Sequence, residues 1–390
     1  MKTNKSAVTA PFWRNRKIIP VIAQIVFLVI VLIASYFFVQ NIINSYRNIN
    51  MVFGFDFLDG IASLPIAESL ISYVTTDTYL RAVLVGILNT LRVAFFGIIL
   101  ATIVGVFVGI ARLSNNWLLS KIAAVYIDIF RNTPLLVQIF IWYVVFLQMP
   151  AIGEALKIGP FYFSNRGSAI PWLEAHRGTV LWLILLAVGI ITAIVIYKLL
   201  TKKQEETGKR KYPLLYAALT IAVICLIAGL VTQSGPFHVT VPEIDGKNFV
   251  GGLRLSQNFF SLLIALVIYT STYIAEIVRA GIQGVSKGQL EAAKALGFKP
   301  ATALRLIIFP QAVRIIIPPL TSQYLNLTKN SSLAVAIGYQ EIVSIGNTIM
   351  NQSGRNVEMI LVMIMVYLIF SIVTSILMNL FNKKFQLIER

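Results

Sequence analysis

Residues 286–310 read SKGQLEAAKALGFKPATALRLIIFP, a charged helix-turn-helix pattern set between long apolar runs. Ser286, with Gln289 three residues later, spells a capping box that starts a helix. The run 290–296 consists of strong helix formers. Gly297 suits the left-handed position that ends a helix, with Phe298 and Pro300 following as apolar clasp and stop. A second helix is predicted from 301 to 309, broken by Pro310. The paired alanines Ala292 and Ala293 leave room for another protein's backbone, which Glu291, Lys294, Lys299 and Arg305 could orient.

The sequence on either side is far more apolar. The chain has 390 residues, of which 57% are hydrophobic and 13% charged. Several runs reach the roughly 20 residues that cross a bilayer. The expectation is an all-α, polytopic membrane protein with about eight spans. They lie at 19–40, 91–111, a third ending near 147, 180–197, 214–231, 259–278, one after Pro310 interrupted by Pro318-Pro319, and 359–381. Pro134 is placed for a helix start. The first run is too long, and ends too bulkily in Tyr36, Phe37 and Phe38, for a cleaved signal, so it reads as a retained helix.

Charge orients the spans. The formal net charge is +17, but the basic residues sit between apolar runs rather than on one face, so nucleic acid is not implied. Lys2, Lys5, Arg14, Arg16 and Lys17 precede the first span. Lys198, Lys202, Lys203, Lys209, Arg210 and Lys211 follow the fourth, and Lys383, Lys384 and Arg390 follow the last. Residues 41–80 are acidic, with Asp56, Asp59, Glu68 and Asp77. By the positive-inside rule both termini are cytoplasmic, and 41–80, 150–178 and 232–256 are outside loops. The segment 333–352 is predicted to be partly an outer-surface helix.

Gly97, Ala101, Gly105 and Gly109 recur every four residues, a small-residue stripe for close helix packing in lipid. The lone Cys225 lies inside an apolar run and reads as packing. His176 and His238 are isolated, so no metal site is expected. There is no phosphate-binding G-x-x-x-x-G-K-[ST] loop, so any ATP is bound by another subunit, and no Ser-His-Asp or Cys-His arrangement suggests an enzyme.

Polar groups inside spans mark either a path or a pairing. Three sets stand out: Arg92 beside Asn89 and Thr90; Thr270, Tyr273 and Glu276; and Asn326, Lys329, Ser331 and Ser332. The competing reading puts Arg92 near the outer interface, pairs Glu276 with Arg279, and gives the hydroxyls to helix carbonyls. Arg131 reads chiefly as an interfacial anchor, with a role at the subunit interface or gate as the alternative.

The order Glu291-Ala292-Ala293, three residues, Gly297, nine residues, Ile307, one residue, Phe309, Pro310 resembles the EAA loop of ABC import permeases. Phe309 stands where leucine is usual. FRNTPLLVQ at 130–138 and YIAEIVRAG at 273–281 resemble segments of the permeases for polar amino acids. In length and layout the chain is similar to the Q-type subunit of the general L-amino-acid importers of Gram-negative bacteria.

The resemblance implies an ABC importer type I permease core in the bacterial inner membrane. The core is expected at 86–149 and 257–390, with an N-terminal unit at 1–85, an insertion carrying an extra helix pair at 150–256, and a coupling loop at 284–310. Ser286, Gln289, Glu291, Ala292, Ala293, Gly297 and Pro310 become the candidate coupling residues, docking on a cytoplasmic ATPase dimer that binds ATP and Mg. A second, similar permease chain and a periplasmic amino-acid-binding protein are implied as partners. An amino acid would offer its carboxylate to Lys329 or Arg92 and its ammonium to Glu276, Tyr273 or Asn326, with Thr270, Ser331 and Ser332 beside the path. The alternative, an ion-coupled secondary carrier, calls for matched broken helices in inverted repeats; Pro318-Pro319 supplies one break without a counterpart.

Overall fold

The computed structural model describes residues 18–48, 50–175, 178–208, 212–233 and 235–385. The basic residues up to Lys17, together with His176, Lys209, Arg210, Lys211 and Arg390, lie outside the described residues.

Helix α1 (Ile18–Asn48) is apolar all round over 19–39 and exposed along that stretch, as a lipid-facing span must be. It is anchored at its far end, where the Tyr46 hydroxyl donates to the buried Glu358 carboxylate. Helix α2 (Tyr79–Arg112) starts twelve residues earlier than the apolar run suggests, capped by the Thr78 hydroxyl. Its stripe Gly97, Ala101, Gly105 and Gly109 is buried.

The third predicted span is not straight. Helices α3 (Trp117–Asn132) and α4 (Leu135–Leu147) meet at 104°. Pro134 forces Thr133 into extended backbone, φ −93 and ψ 126, which ends α3. The Gln138 amide then donates to the freed carbonyls of Phe130 and Thr133, at 2.7 and 3.0 Å.

The segments expected to be outside loops carry strands. They are β1 (Leu156–Ile158), β2 (Phe161–Ser164), β3 (Gly167–Ile170) and β4 (Trp172–Glu174), then, after helices α5 (Thr179–Thr207) and α6 (Pro213–Thr232), β5 (His238–Thr240), β6 (Glu243–Asp245), β7 (Asn248–Val250) and β8 (Leu253–Leu255). The sheet order β1-β2-β3-β8 and the pair β4-β5 join the two segments antiparallel. Residues 150–256 therefore close on themselves, with the α5–α6 hairpin leaving after β4 and returning at β5, the two paired strands of one small sheet. Gly167, at φ +133, makes this closure possible: a Cβ there would stand 2.5 Å from the Leu255 carbonyl oxygen.

Helix α7 (Gln257–Gln283) is the centre of the bundle, packed on α2, α3 and α4. It leads to α8 (Lys287–Ala295), the single turn α9 (Pro300–Ala303), a π-helical turn at Leu304–Ile308, and α10 (Phe309–Asn330), which also packs on α7. Pro310 does not break this run. The Phe309 N–H reaches back to Leu304, and the extra residue of the π-turn absorbs the missing proline donor at the start of α10. Pro318 and Pro319 also fail to interrupt the helix. Each removes one donor, a loss that membrane helices tolerate where neighbouring groups cover the freed carbonyls.

A 3-10 turn (Ser331–Ile337) and α11 (Ile342–Ser353) precede the last span, α12 (Asn356–Phe385). Among the described residues, seven helices are long and apolar enough to cross a membrane, up to eight spans if α3 and α4 count as one. The helical, polytopic expectation stands, with the small sheets added to it.

Candidate functional site

At one end of the bundle lies the loop between α7 and α10. Gly297 adopts φ +76 and ends α8 as expected. Phe298 N–H bonds the Ala293 carbonyl at 3.0 Å and Gly297 N–H the Lys294 carbonyl at 2.9 Å, the paired bonds of a Schellman stop. The capping box does not form. Ser286 makes no side-chain cap bond, because the Gln289 N–H is already taken by the Ser286 carbonyl at 3.0 Å. The two alanines also part company. Ala293 is buried within the loop, as is Ala303, whereas Ala292 and Glu291 are exposed. Leu296, 75% exposed, and Phe298, 40% exposed, project beside them. The outer face is thus an acid, a small residue and two apolar side chains held by a rigid stop.

Inside the bundle, Tyr273 and Glu276 of α7 line a cavity of about 470 Å³ with Arg131 of α3 and Ile315, Pro319 and Ser322 of α10. Glu276 pairs with Arg279 at 2.7 Å, and the Arg131 guanidinium lies 5.3 Å from the Tyr273 ring centre. The Tyr273 and Tyr269 hydroxyls are 3.0 Å apart. The cavity therefore offers the Arg131 cation, the Glu276 carboxylate and the Tyr273 phenol. Thr270 is buried in the packing of α7.

Along α10, Ile315, Pro319, Ser322, Asn326 and Lys329 are all exposed, at alternating spacings of four and three. They form one stripe, apolar toward the α8 end and polar toward the other. Lys329 also lines an apolar groove against α12, with Ile360, Met363, Tyr367 and Ser371. Ser331 and Ser332 turn their hydroxyls to the Thr328 and Lys329 carbonyls, at 2.7 and 2.8 Å. Their hydrogen bonds are local.

Arg92 is separated from these groups. It is buried, 2.5 Å from Glu68, and its guanidinium lies 4.4 Å from the Phe259 ring centre. Ser256 donates to the other Glu68 oxygen at 2.6 Å. Asn89 donates to the Glu68 and Gln340 carbonyls, both at 2.9 Å. This set is a clasp that ties residues 61–78 over the ends of α2 and α7.

Glu68 as the partner of Arg92 is not legible in the sequence. An acid in an outside loop gives no sign of which span it will meet. Sequence reasoning also missed Glu341, fully buried at the start of α11, which accepts from the Ser344 N–H at 2.9 Å and the Tyr367 hydroxyl at 3.2 Å. An acid just before an amphipathic run was the available signal. Burial pushes the Glu341 carboxyl above its ordinary range.

Residues 212–387 match the family described as binding-protein-dependent transport system inner membrane component. The chain is 44% identical over 389 residues to the general L-amino acid transport system permease protein AapQ of Rhizobium johnstonii, covering 99% of this chain and 96% of that protein. It is 37% identical to the glutamate/glutamine/aspartate/asparagine transport system permease protein BztB of Rhodobacter capsulatus, covering 89% of each. Among solved structures, a crystal structure of an amino acid ABC transporter with histidines is similar at a TM-score of 0.46 and 21% identity, covering 78% of this chain and 95% of that one.

Proposed function

The chain belongs to the binding-protein-dependent inner-membrane transport family, among its amino-acid ABC permeases, and on that premise we propose how it works. It is the multi-pass permease subunit of an amino-acid importer in the inner membrane. A separate ATPase pair in the cytoplasm binds ATP and Mg, supplies the energy, and docks on the exposed face of α8. A second permease chain faces α10. A soluble amino-acid-binding protein delivers substrate at the opposite end of the bundle.

The observation that carries this reading is the stripe Ile315, Pro319, Ser322, Asn326 and Lys329, exposed along a helix that spans the membrane. An amide and an ammonium are costly against hydrocarbon, so this face belongs against water or another protein rather than lipid. Its lower half adjoins the cavity of Arg131, Tyr273 and Glu276. A substrate passing along it would meet Asn326 and Lys329 first and the Arg131 cavity next. We assign Arg92 to the clasp rather than to the path, because Glu68 and Phe259 enclose it. Ser331 and Ser332 contribute local hydrogen bonds beside the path.

Closing of the ATPase pair would push α8. The rigid Gly297 stop and the continuous run from α9 into α10 would pass that motion to the stripe, shifting the permease between outward-open and inward-open states. The binding-protein-dependent family leaves the ion-coupled carrier alternative without support, and the unbroken α10 removes the one break it could use.

Affinity purification through a C-terminal tag tests the assembly. Extraction in mild detergent should bring down an ATPase and a second permease. A chain recovered alone that moves amino acids in liposomes without ATP would overturn the reading.

A further inference from the structure

At the end of the bundle opposite the coupling loop, two adjoining cavities open beside the small sheets, the second of them reaching residues 67–68. One, of about 470 Å³, is lined by Gly153, Glu154, Asn165, Arg166 and Lys247. The other, of about 290 Å³, is lined by Glu68, Arg166, Asn248 and Arg254. Ile152 and Arg166 belong to both. Their sizes suit a ligand of a few carbon atoms.

The charges in this cleft do not cancel. Glu68 is neutralised by Arg92 at 2.5 Å and also accepts from the Ser256 hydroxyl. Arg166, Lys247 and Arg254 have no ion-pair partner among the described residues, and neither does Glu154. Asn165 adds a buried side-chain oxygen, Oδ1, that accepts no hydrogen bond. Such an acceptor is costly unless a donor reaches it. The arrangement is also built rather than incidental. Gly167 permits the close approach of β8 to β3, and the register sets Arg254 opposite Ala169, three residues from Arg166.

We propose that this cleft binds a free α-amino acid. Its carboxylate sits between Arg166 and Arg254, where guanidinium geometry suits two oxygens. Its ammonium points into the larger cavity, toward Glu154 and Asn165 Oδ1. The choice of an amino acid rather than another carboxylate rests on the importer reading and on the acceptors beside the cations. The insertion then gives the permease a holding site of its own outside the membrane, ahead of the α10 stripe.

The test is equilibrium binding of isotope-labelled L-glutamate and L-glutamine to the purified complex containing the full chain. Arg166→Gln and Arg254→Gln should each weaken binding at least tenfold. Glu154→Gln should weaken L-glutamate binding while leaving glutarate, the same acid without the amine, unchanged; a purely structural role would not separate the two ligands. Binding that survives both arginine variants but is lost in Asn326→Ala overturns the proposal and leaves the importer reading standing. Absence of amino-acid binding, with arginine variants that instead lose capture of the soluble binding protein, makes the cleft a protein-docking surface and also overturns it. A complex that lacks an ATPase removes the importer reading itself.

Discussion

Glu68 and Arg92 are joined at 2.5 Å although one lies in the connection before α2 and the other almost four turns inside that helix. The pair is nearly out of solvent, with Arg92 also against the Phe259 ring. Removing one partner of a buried pair strands the other, which costs more than the pair's net worth. Glu68→Ala should destabilise the detergent-purified chain by about 3 kcal/mol or more. The double variant Glu68→Leu with Arg92→Leu should lose less. Thermal unfolding of both variants decides it, and a double variant no better than Glu68→Ala would show that the clasp is not electrostatic.

The α2–α7 contact rests on absent side chains. A Cβ at Gly105 would lie 2.6 Å from Ile274 Cβ, and one at Gly109 would lie 2.7 Å from the Ala275 carbonyl oxygen. Neither neighbour can swing away, since one is a branched core residue and the other is backbone. Gly105→Val should therefore reduce the yield of folded protein severely. Gly229→Val, at a glycine with no heavy atom within 4 Å of its Cβ position, should leave the yield near wild type. Size-exclusion profiles in detergent compare the two.

What could be read from the sequence follows from how local each cause is. Gly297 was legible because a positive φ is a demand of one residue, and the stripe of α2 was legible because spacing alone defines it. The capping box at Ser286 failed on a competition for one N–H that composition does not show. Pro310, Pro318 and Pro319 were read as breaks, but a π-turn upstream and a surrounding membrane bundle let the helix continue. The sheet was illegible for a different reason: strands of three or four residues pair across a helical hairpin, and neither segment alternates strongly enough to announce itself. The partner of Arg92 was a question of tertiary distance. The polar face of α10 was half visible, since Asn326 and Lys329 stood out as costly groups and only the helix phase tied them to Ser322.

Glu341 lies in the connection between two spans, and burial raises its carboxyl pKa in the folded chain. The folded state then holds its proton more tightly than the unfolded one. Its penalty is absent below the unfolded pKa, grows as pH rises, and is complete above the folded pKa. Glu341→Gln should flatten that pH dependence and raise stability on the alkaline side, because an amide oxygen can still accept from the Ser344 N–H. Unfolding curves collected from acid to neutral pH would show wild type and variant converging at low pH. Parallel curves would mean that Glu341 stays ionised throughout.

The loop that carries α8 separates backbone from side-chain causes. Gly297 sits at φ +76 with open space where a Cβ would go, so any penalty there comes from the backbone angle alone. Asn tolerates this region better than branched residues do. Gly297→Asn should therefore keep most ATPase association, whereas Gly297→Val should weaken α8 and release the ATPase while the permease pair survives. Co-purification with a tagged permease reads both, and equal retention in the two variants would show that the Schellman stop is not what presents α8.

The stripe on α10 gives the most direct test of the path. Ser322 lies in it beside the Arg131 cavity, Asn326 is one turn further out, and Lys329 is another turn beyond. If this face meets a second permease across a polar path, a cysteine at 322 or 326 should cross-link to that chain, and the yield should change when nucleotide closes the ATPase pair. Asn326→Leu and Lys329→Ala should lower amino-acid uptake several-fold with the complex still assembled, since each removes a polar group from the path and leaves the packing of α10 on α7 intact. Arg131→Gln should act the same way, because its guanidinium lines the cavity 5.3 Å from the Tyr273 ring centre. Gln283→Ala is the internal control: it shares the Arg279 network but lies outside the cavity, and its uptake should match wild type. Unchanged kinetics in Asn326→Leu and Lys329→Ala, together with a cysteine at 322 or 326 that reacts only with lipid-soluble reagents, would place the stripe against lipid and move the path to another face.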